Sequence, residues 1–303
     1  MVVKIQSHRY TACIDLAKGV NCVSLRNAKF HAVILREPKR GCPVDNPYLY
    51  GMPILYPVNR IAGGSFTFEG RLYRFPINEP KTNCHLHGML HEMEFWAEEI
   101  GDDFVKCVFE GQYLDFPHRF RVEMVYSLSE RGLLHRTKIT NLSGENMPNF
   151  LGFHTTFQIP FTEQSAAENI RLFAELGDEV ERDNNYLPTG KILPCDAAIE
   201  KINRGEFMPF EKMISKNCRI KNGGRMELRD EKKNIRLVYE NDPQFLWRLI
   251  YNGNADEYIC LEPMTCMANC QNAPFARSFG NFDSIAPYSS KEYVSKIYIE
   301  EMQ

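Results

Sequence analysis

Apolar and polar residues alternate with a period of two along much of this chain. In one segment, five apolar residues at every second position share a face: Phe120, Val122, Met124, Tyr126 and Leu128. Residues 293–299 alternate in the same way. Shorter runs with the same pattern cover 66–75, 104–110, 133–141 and 234–240, and each of these four is bounded by Gly, Asn, Asp or Pro. Because successive side chains of a strand point to opposite faces, the pattern predicts many half-buried antiparallel strands.

Helical periodicity is scarce by comparison. Only 163–176 and 196–204 favour a helical turn or two, so the chain is predicted to be an all-β sandwich or barrel. The 303 residues contain no internal repeat and no linker rich in Pro or Gly, which favours a single domain over 1–303. Four segments are predicted to be long irregular loops, where sites usually lie: 38–66, 76–94, 178–196 and 262–291.

The composition restricts partners and compartment. A hydrophobic fraction of 44% and a charged fraction of 25% are ordinary for a globular protein, and the net charge of -3 gives no reason to expect nucleic acid. The ten cysteines form no CxxC pair, so reduced thiols are favoured over structural zinc. The start lacks a signal-peptide pattern, and no apolar run approaches a membrane span. We therefore expect a soluble, cytoplasmic protein without a membrane partner.

The first candidate site segment contains Asn59 and Arg60, just before a predicted hairpin whose turn is Glu69-Gly70. Arginine offers a rigid fork of donors and asparagine offers both a donor and an acceptor, so the pair suits a polyhydroxyl ligand. A solvated arginine and a turn asparagine are the alternative.

A second segment carries His85, His87 and His91. A strand would place His85 and His87 on one face, which permits two metal ligands. No carboxylate or cysteine at a familiar spacing completes the set. A hydrogen-bonding histidine in a pocket, or simple core and surface histidines, are therefore favoured, and we expect no metal.

Two further residues have the chemistry of a general acid and base. His154 lies in an apolar and aromatic stretch, and Glu262 ends an apolar strand just before Pro263. Burial perturbs the pKa of either group, which suits proton transfer. Taken alone, a satisfied core histidine and a structural glutamate paired with a nearby arginine are the favoured interpretations. The chain has no Walker loop, GxGxxG turn, GxSxG elbow or HExxH motif, which removes several common enzyme classes.

Taken in order, the segments resemble the aldose 1-epimerase family. The motifs that carry the resemblance are Asn59-Arg60-Ile61, Gly64-Ser65-Phe66, Gly70, Tyr73, Asn78, Leu86-His87-Gly88, Trp96, His154-Thr155-Thr156-Phe157, Leu187-Pro188-Thr189-Gly190, Leu261-Glu262-Pro263 and the Tyr-rich strand from Lys291 to Ile299. The match runs from about residue 50 to the end.

The resemblance implies a galactose-mutarotase-type antiparallel β-sandwich and interconversion of the α and β anomers of a free aldose, without a cofactor. Glu262 would be the base, His154 the acid, and His87 a ligand of the sugar near its reacting centre. Asn59 and Arg60 would bind hydroxyls, Arg248 would also bind the substrate, and Phe157 or Trp247 would line the C–H face of the sugar. The expected partner is a small sugar, and the expected assembly is a monomer or homodimer.

Departures from the family pattern leave the substrate open. Family members carry a substrate-binding Asp near 214–219, where this chain has none; the stretches 245–249 and 264–269 also lack the usual Gln. A hexose-phosphate epimerase would need a basic cluster, which Arg60, Arg71, Arg74 and Arg248 could supply. A non-catalytic sugar-binding protein on the same fold is the main alternative. A lyase or hydrolase would need a second acidic pair that the sequence does not place.

Overall fold

The computed structural model describes residues 1–39, 44, 46–112, 116–253 and 257–302. Strands dominate this part of the chain and confirm the all-β prediction. The strands are β1 (Val2–Gln6), β2 (Tyr10–Asp15), β3 (Asn21–Asn27), β4 (Ala32–Val33), β5 (Ile54–Leu55), β6 (Arg60–Ala62), β7 (Ser65–Phe68), β8 (Arg71–Arg74), β9 (Cys84–Leu86), β10 (Trp96–Ile100), β11 (Phe104–Gly111), β12 (Phe120–Ser129), β13 (Gly132–Asn141), β14 (Met147–Pro148), β15 (Gly152–Phe153), β16 (Thr155–Gln158), β17 (Ile170–Ala174), β18 (Leu176–Arg182), β19 (Pro188–Leu193), β20 (Ser215–Ile220), β21 (Arg225–Asp230), β22 (Ile235–Asn241), β23 (Trp247–Tyr251), β24 (Tyr258–Met264), β25 (Ser284–Ile285) and β26 (Ser290–Glu301).

Helical structure is limited, as expected. The helix α1 spans Ala197–Arg204, and short 3-10 turns span Pro47–Leu49, Pro80–Thr82, Leu90–Glu92 and Ala167–Asn169. The helix predicted over 196–204 is confirmed. Its first turn is capped by Asp196, whose carboxylate accepts from the Ile199 amide at 2.9 Å, and it ends at Gly205 in the left-handed conformation.

Two large antiparallel sheets form the sandwich. One has the strand order β10-β11-β12-β13-β26-β22-β21-β17, and the other has the order β19-β18-β20-β23-β24-β15-β5, with β16 also paired to β24. The sheets meet through aromatic side chains. The ring of Phe157 on β16 lies 5.6 Å from that of Tyr239 on β22, and Phe153 lies 4.9 Å from His135. These contacts belong to one continuous apolar core.

The structure corrects two local predictions. The segment 163–176 is not mainly helical, because only Ala167–Asn169 forms a turn and β17 follows at once. The segment 178–196 is not irregular, because β18 and β19 form a hairpin there. Most of β19 is exposed, so an edge strand of this kind shows little apolar alternation. The hairpin predicted over 66–75 is confirmed, with Glu69 and Gly70 both at positive φ in its turn.

The register of the second sheet determines which side chains share its outer face. Asn217 on β20 lies opposite Leu249 on β23, which in turn lies opposite Glu262 on β24. Directly opposed residues of antiparallel strands point to the same side of the sheet. These three therefore form one row, and Trp247 belongs to the next row on the same face.

No helix in the described ranges has the length and apolar character needed to cross a membrane.

Candidate active site

His154 and Glu262 meet on this outer face of the second sheet. The Nε2 atom of His154 lies 3.2 Å from Oε1 of Glu262, and the two residues are only 6% and 1% exposed. Glu262 belongs to β24, while His154 lies at the break between β15 and β16, where its amide donates to the Pro53 carbonyl at 3.0 Å. The structure thus brings together the two groups that the sequence nominated as acid and base.

Burial shifts the two groups in opposite directions. Removal from water raises the pKa of Glu262 to about 8, an effect that the positive charges of Arg182 and Arg60 partly oppose. The same loss of solvent lowers the pKa of His154 to about 4. Both shifts favour the neutral forms. Near neutral pH and without a ligand, Glu262 is therefore protonated and His154 is neutral. The one proton that the two facing groups can exchange lies on the carboxyl group.

Arg60 lies beside this pair but already has a partner. Its Nε and Nη2 atoms each donate to the Glu79 carboxylate at 2.7 Å, and its guanidinium lies 4.6 Å from the centre of the Tyr186 ring. The hydrogen bonds from Arg60 lower the pKa of Glu79 despite its burial. A bidentate pair holds the guanidinium in one orientation at the edge of the site.

Asn59 and His87 both lie where the backbone has a left-handed conformation. Both residues have positive φ, at 60° and 65°, and the His87 amide donates to the Asn59 carbonyl at 3.0 Å. The side-chain oxygen of Asn59 accepts from the Arg60 amide, and its Nδ2 faces the sulfur of Met264 at 3.7 Å. Asn59 therefore positions its neighbours, and both polar atoms of its side chain have partners within the chain.

Gly88 makes that backbone path possible. Its φ is +66°, and a Cβ atom there would lie 2.0 Å from the carbonyl oxygen of Tyr56. A side chain at this position would thus meet both strain and a clash with backbone atoms. The glycine allows the chain to pass Tyr56 closely and to turn the imidazole of His87 toward His154.

His87 faces His154 as a neutral donor or acceptor. The two rings lie 5.5 Å apart in an edge-to-face arrangement, and burial together with the neighbouring His154 lowers the pKa of His87 well below its usual value. Its Nδ1 atom is buried and has no hydrogen-bond partner within the described part of the chain. The ring can therefore accept or donate one bond to a ligand.

Tyrosine rings cover the histidines and arginines from outside the sheet. Tyr48 lies 4.6 Å from the ring of His87 and 6.0 Å from that of His154. Tyr186, in the turn between β18 and β19, lies against both Arg60 and Arg182. A ligand that reaches Glu262 must displace part of this cover.

Trp247 lies on the same face as Glu262, one row away. It is 0% exposed, packs edge-on against Phe279 at 5.8 Å, and leaves its Nε1 atom without a hydrogen-bond partner among the described residues. It can thus offer an apolar ring and one N–H donor.

Two residues expected to contact a sugar lie elsewhere. Arg248 precedes Leu249 on β23 and so points to the opposite face, where it donates to the backbone carbonyls of Phe245, Trp247 and Gly224. Phe157 is buried between the sheets against Tyr239. Strand parity explains both placements, because neighbouring residues of a strand face opposite sides.

The basic cluster suggested for a phosphate is likewise not assembled. Arg71 pairs with Glu145 at the β7–β8 hairpin, Arg60 pairs with Glu79, and Arg248 points into the sandwich. Two further residues lie on the same outer face as Glu262 and were not nominated from the sequence: Arg182 and Asn217. Asn217 falls within 214–219, the stretch noted from the sequence for its missing Asp, and strand pairing places it on this face. Arg182 belongs to no motif and is placed by its hydrogen bonds to Ser215.

The histidine-rich segment does not assemble a metal centre. The strand β9 ends at Leu86, so His87 leaves the strand instead of sharing a face with His85. His85 bonds through Nδ1 to the Pro76 carbonyl at 2.7 Å and lies near the ring of Phe75. In the ranges that the structure covers, no group of three or more His, Cys, Asp or Glu residues could hold a metal ion.

Comparison with known proteins identifies the family and the relatives of this chain. The family model described as Aldose 1-epimerase matches residues 4–297. The chain belongs to the aldose 1-epimerase family. The protein LacX (chromosomal) of Lactococcus lactis subsp. lactis is 26% identical over 241 residues, which cover 72% of this chain and 75% of that protein.

Two solved structures of similar proteins share the fold over nearly the whole chain. A galactose mutarotase-like protein from Clostridium acetobutylicum superposes with a TM-score of 0.93 at 29% identity, over 99% of this chain and 95% of that one. A candidate aldose 1-epimerase from Escherichia coli K12 superposes with a TM-score of 0.83 at 18% identity, over 100% and 99% of the two chains, which shows the fold alone. Membership of the aldose 1-epimerase family supports a general epimerase or mutarotase function and an isomerase type of enzyme.

Proposed function

We propose that this member of the aldose 1-epimerase family interconverts the α and β anomers of an aldose by opening and closing the sugar ring. The observation that carries the proposal is the buried contact of 3.2 Å between His154 and Glu262, whose pKa values burial shifts toward each other's range. Such a pair can exchange a proton with a substrate at two atoms at once. His87, Arg60 and Trp247 surround the pair and suit a polyhydroxyl ligand.

Ring opening requires that the proton shared by His154 and Glu262 lies on the imidazole of His154. The Glu262 carboxylate then takes the proton of the anomeric hydroxyl while the His154 imidazolium gives its proton to the ring oxygen, and the bond between C1 and the ring oxygen breaks. The product is the open-chain aldehyde, with Glu262 protonated and His154 neutral. Rotation about C1–C2 presents the other aldehyde face, and the reverse transfers close the ring to the other anomer.

The proton count of the pair stays constant through this cycle. The unliganded pair holds one proton on Glu262, and the ion pair that attacks the cyclic sugar holds the same proton on His154. Binding must therefore move one proton across the existing contact and needs none from solvent. Arg182 and Arg60 favour this shift because their charges lower the pKa of Glu262.

Polarimetry of a freshly dissolved pure anomer tests the proposal. We expect catalytic amounts of the protein to speed the approach to the equilibrium rotation above the rate in buffer, for at least one aldose among galactose, glucose, fucose, deoxy sugars and hexose phosphates. If sugars bind, as measured by calorimetry, but none mutarotates faster than in buffer, the proposal is wrong and a sugar-binding role is favoured.

The two pKa values predict a bell-shaped pH profile. We expect kcat/KM to fall below about pH 4, where both groups are protonated and the base is lost, and above about pH 8, where the pair has lost its proton and the acid is missing. Exchange NMR between anomers at each pH measures this, with the buffer rate subtracted. A single limb near pH 6.5, typical of a solvated histidine, would contradict the assignment.

A further inference from the structure

The outer face of the second sheet carries a second polar group, at the far end of the row that contains Glu262. Asn217 is 0% exposed, and both polar atoms of its side chain lack a hydrogen-bond partner among the described residues. A buried amide without partners costs free energy unless a ligand or water completes its bonds. Two strand spacings, about 10 Å, separate Asn217 from Glu262 along the row. One monosaccharide with its substituents can span that distance.

Arg182 lies beside Asn217 on the same face. It is partly buried, and its Nη2 atom donates to the carbonyl and, at 3.2 Å, to the hydroxyl of Ser215, which is two residues from Asn217 on β20. Its guanidinium lies 6.0 Å from the centre of the Tyr186 ring. Within the described ranges it forms no ion pair.

The nearby carboxylates are either engaged or uncharged. Glu179 forms its ion pair with Lys216, Glu79 forms a bidentate pair with Arg60, and burial keeps Glu262 protonated near neutral pH. The same sheet face also carries the exposed Arg219, which lies opposite Trp247. The guanidinium of Arg182 therefore has no directly paired carboxylate within the described ranges, although the charge of Glu179 acts on it from a greater distance.

Whether the positive charge of Arg182 is compensated depends on the residue at position 217. A carboxylate at this position would face the site from the same strand as Ser215 and would compensate Arg182. The neutral amide of Asn217 instead leaves the guanidinium available and adds two N–H donors and one acceptor. A guanidinium with a neighbouring amide matches an anionic group with two or three oxygens.

We propose that Arg182 and Asn217 form a subsite for an anionic group, so that the substrate is an aldose bearing a carboxylate or a phosphate away from its anomeric carbon. This inference rests on the proposed function and specifies its substrate class. The anomeric carbon lies at the end of the row that His154 and Glu262 occupy, and the anionic group lies at the opposite end, against the guanidinium. The phosphate alternative considered from the sequence is thus kept, but Arg182 and Asn217 replace the arginine cluster that was expected to bind the phosphate.

Three matched sugars test the subsite: glucose, glucuronate and glucose 6-phosphate. Anomer exchange by NMR gives kcat/KM for each, and calorimetry gives each Kd. We expect at least one anionic sugar to exceed glucose by about 10- to 100-fold in kcat/KM and in affinity, the range expected for hydrogen bonds to a charged group. Preference for glucuronate identifies a carboxylate as the ligand, and preference for glucose 6-phosphate identifies a phosphate.

Three variants show whether Arg182 and Asn217 cause the preference. Arg182→Gln and Asn217→Asp are each expected to reduce the ratio of anionic to neutral sugar by about 10-fold or more, whereas Arg182→Lys retains part of it. Arg71→Gln serves as the matched control, because Arg71 pairs with Glu145 away from the site and its loss is expected to leave the ratio unchanged.

The outcomes separate this inference from the function on which it rests. Tight binding of an anionic sugar through Arg182, with no accelerated mutarotation of any sugar of the panel, refutes the proposed function and keeps the subsite. Faster mutarotation of glucose than of both anionic sugars, with a ratio that Arg182→Gln does not change, refutes the subsite and keeps the function.

Discussion

Replacing Glu262 with Gln is expected to lower kcat/KM for anomer exchange by about 10²- to 10⁴-fold, the range that a general acid or base contributes. His154→Asn is expected to cost a similar factor. The two groups act on one proton, so the double variant should lose little more than the more damaging single variant. Polarimetry on the best aldose of the panel measures all three variants.

The fold should survive the Glu262→Gln change. Burial already holds the carboxyl group protonated near neutral pH, so a neutral amide of similar shape replaces a neutral acid. Glu257→Gln is the matched control, because Glu257 lies just before β24, is partly exposed and pairs with Arg36 at 2.8 Å. It is expected to keep the wild-type rate. Equal rates for wild type and Glu262→Gln would remove Glu262 from the mechanism.

Gly88→Ala is expected to have the largest effect on stability. The new Cβ would lie 2.0 Å from the Tyr56 carbonyl oxygen at a positive φ of +66°, so strain and a backbone clash combine. We expect the free energy of unfolding to fall by more than about 3 kcal/mol, which belongs to the severe end of single substitutions. Urea unfolding followed by circular dichroism measures the change.

Gly63→Ala separates the clash from the strain. Gly63 has nearly the same φ, +61°, but no heavy atom lies within 4 Å of the position that a Cβ would take there. The left-handed conformation alone should cost about 1–2 kcal/mol at this residue. Equal losses for the two variants would show that the close approach of Gly88 to Tyr56 does not constrain the loop that holds His87.

The sequence predicted the parts of the fold that have one buried and one exposed face. The strands β12 and β26 alternate because one face of each lies against the core. The hairpin of β18 and β19 was missed because β19 lies at an edge and is mostly exposed. The strand β17 was missed because a short turn at Ala167–Asn169 precedes it and suggests a helix.

The candidate site was predictable only where a motif marks it. His154 and Glu262 were nominated by their flanking residues, but their contact depends on the pairing of β15 and β16 with β24. Arg182 has no motif, the stretch 214–219 was noted only for its missing Asp, and the register of β20 and β23 is what places Asn217 in the row of Glu262. Arg248 was wrongly expected to contact the substrate for the same reason. The face of the sheet to which a residue of β23 points depends on strand pairing, which the sequence alone does not give.

Exchange NMR on the unmodified protein tests the central claim most directly. Saturating the signal of one anomeric proton should reduce the signal of the other anomer in proportion to enzyme concentration, near neutral pH, for at least one aldose of the panel. The account predicts this transfer in the wild type and its loss in Glu262→Gln that still binds the sugar. Binding of an aldose by the wild type without any transfer above the buffer rate would contradict it.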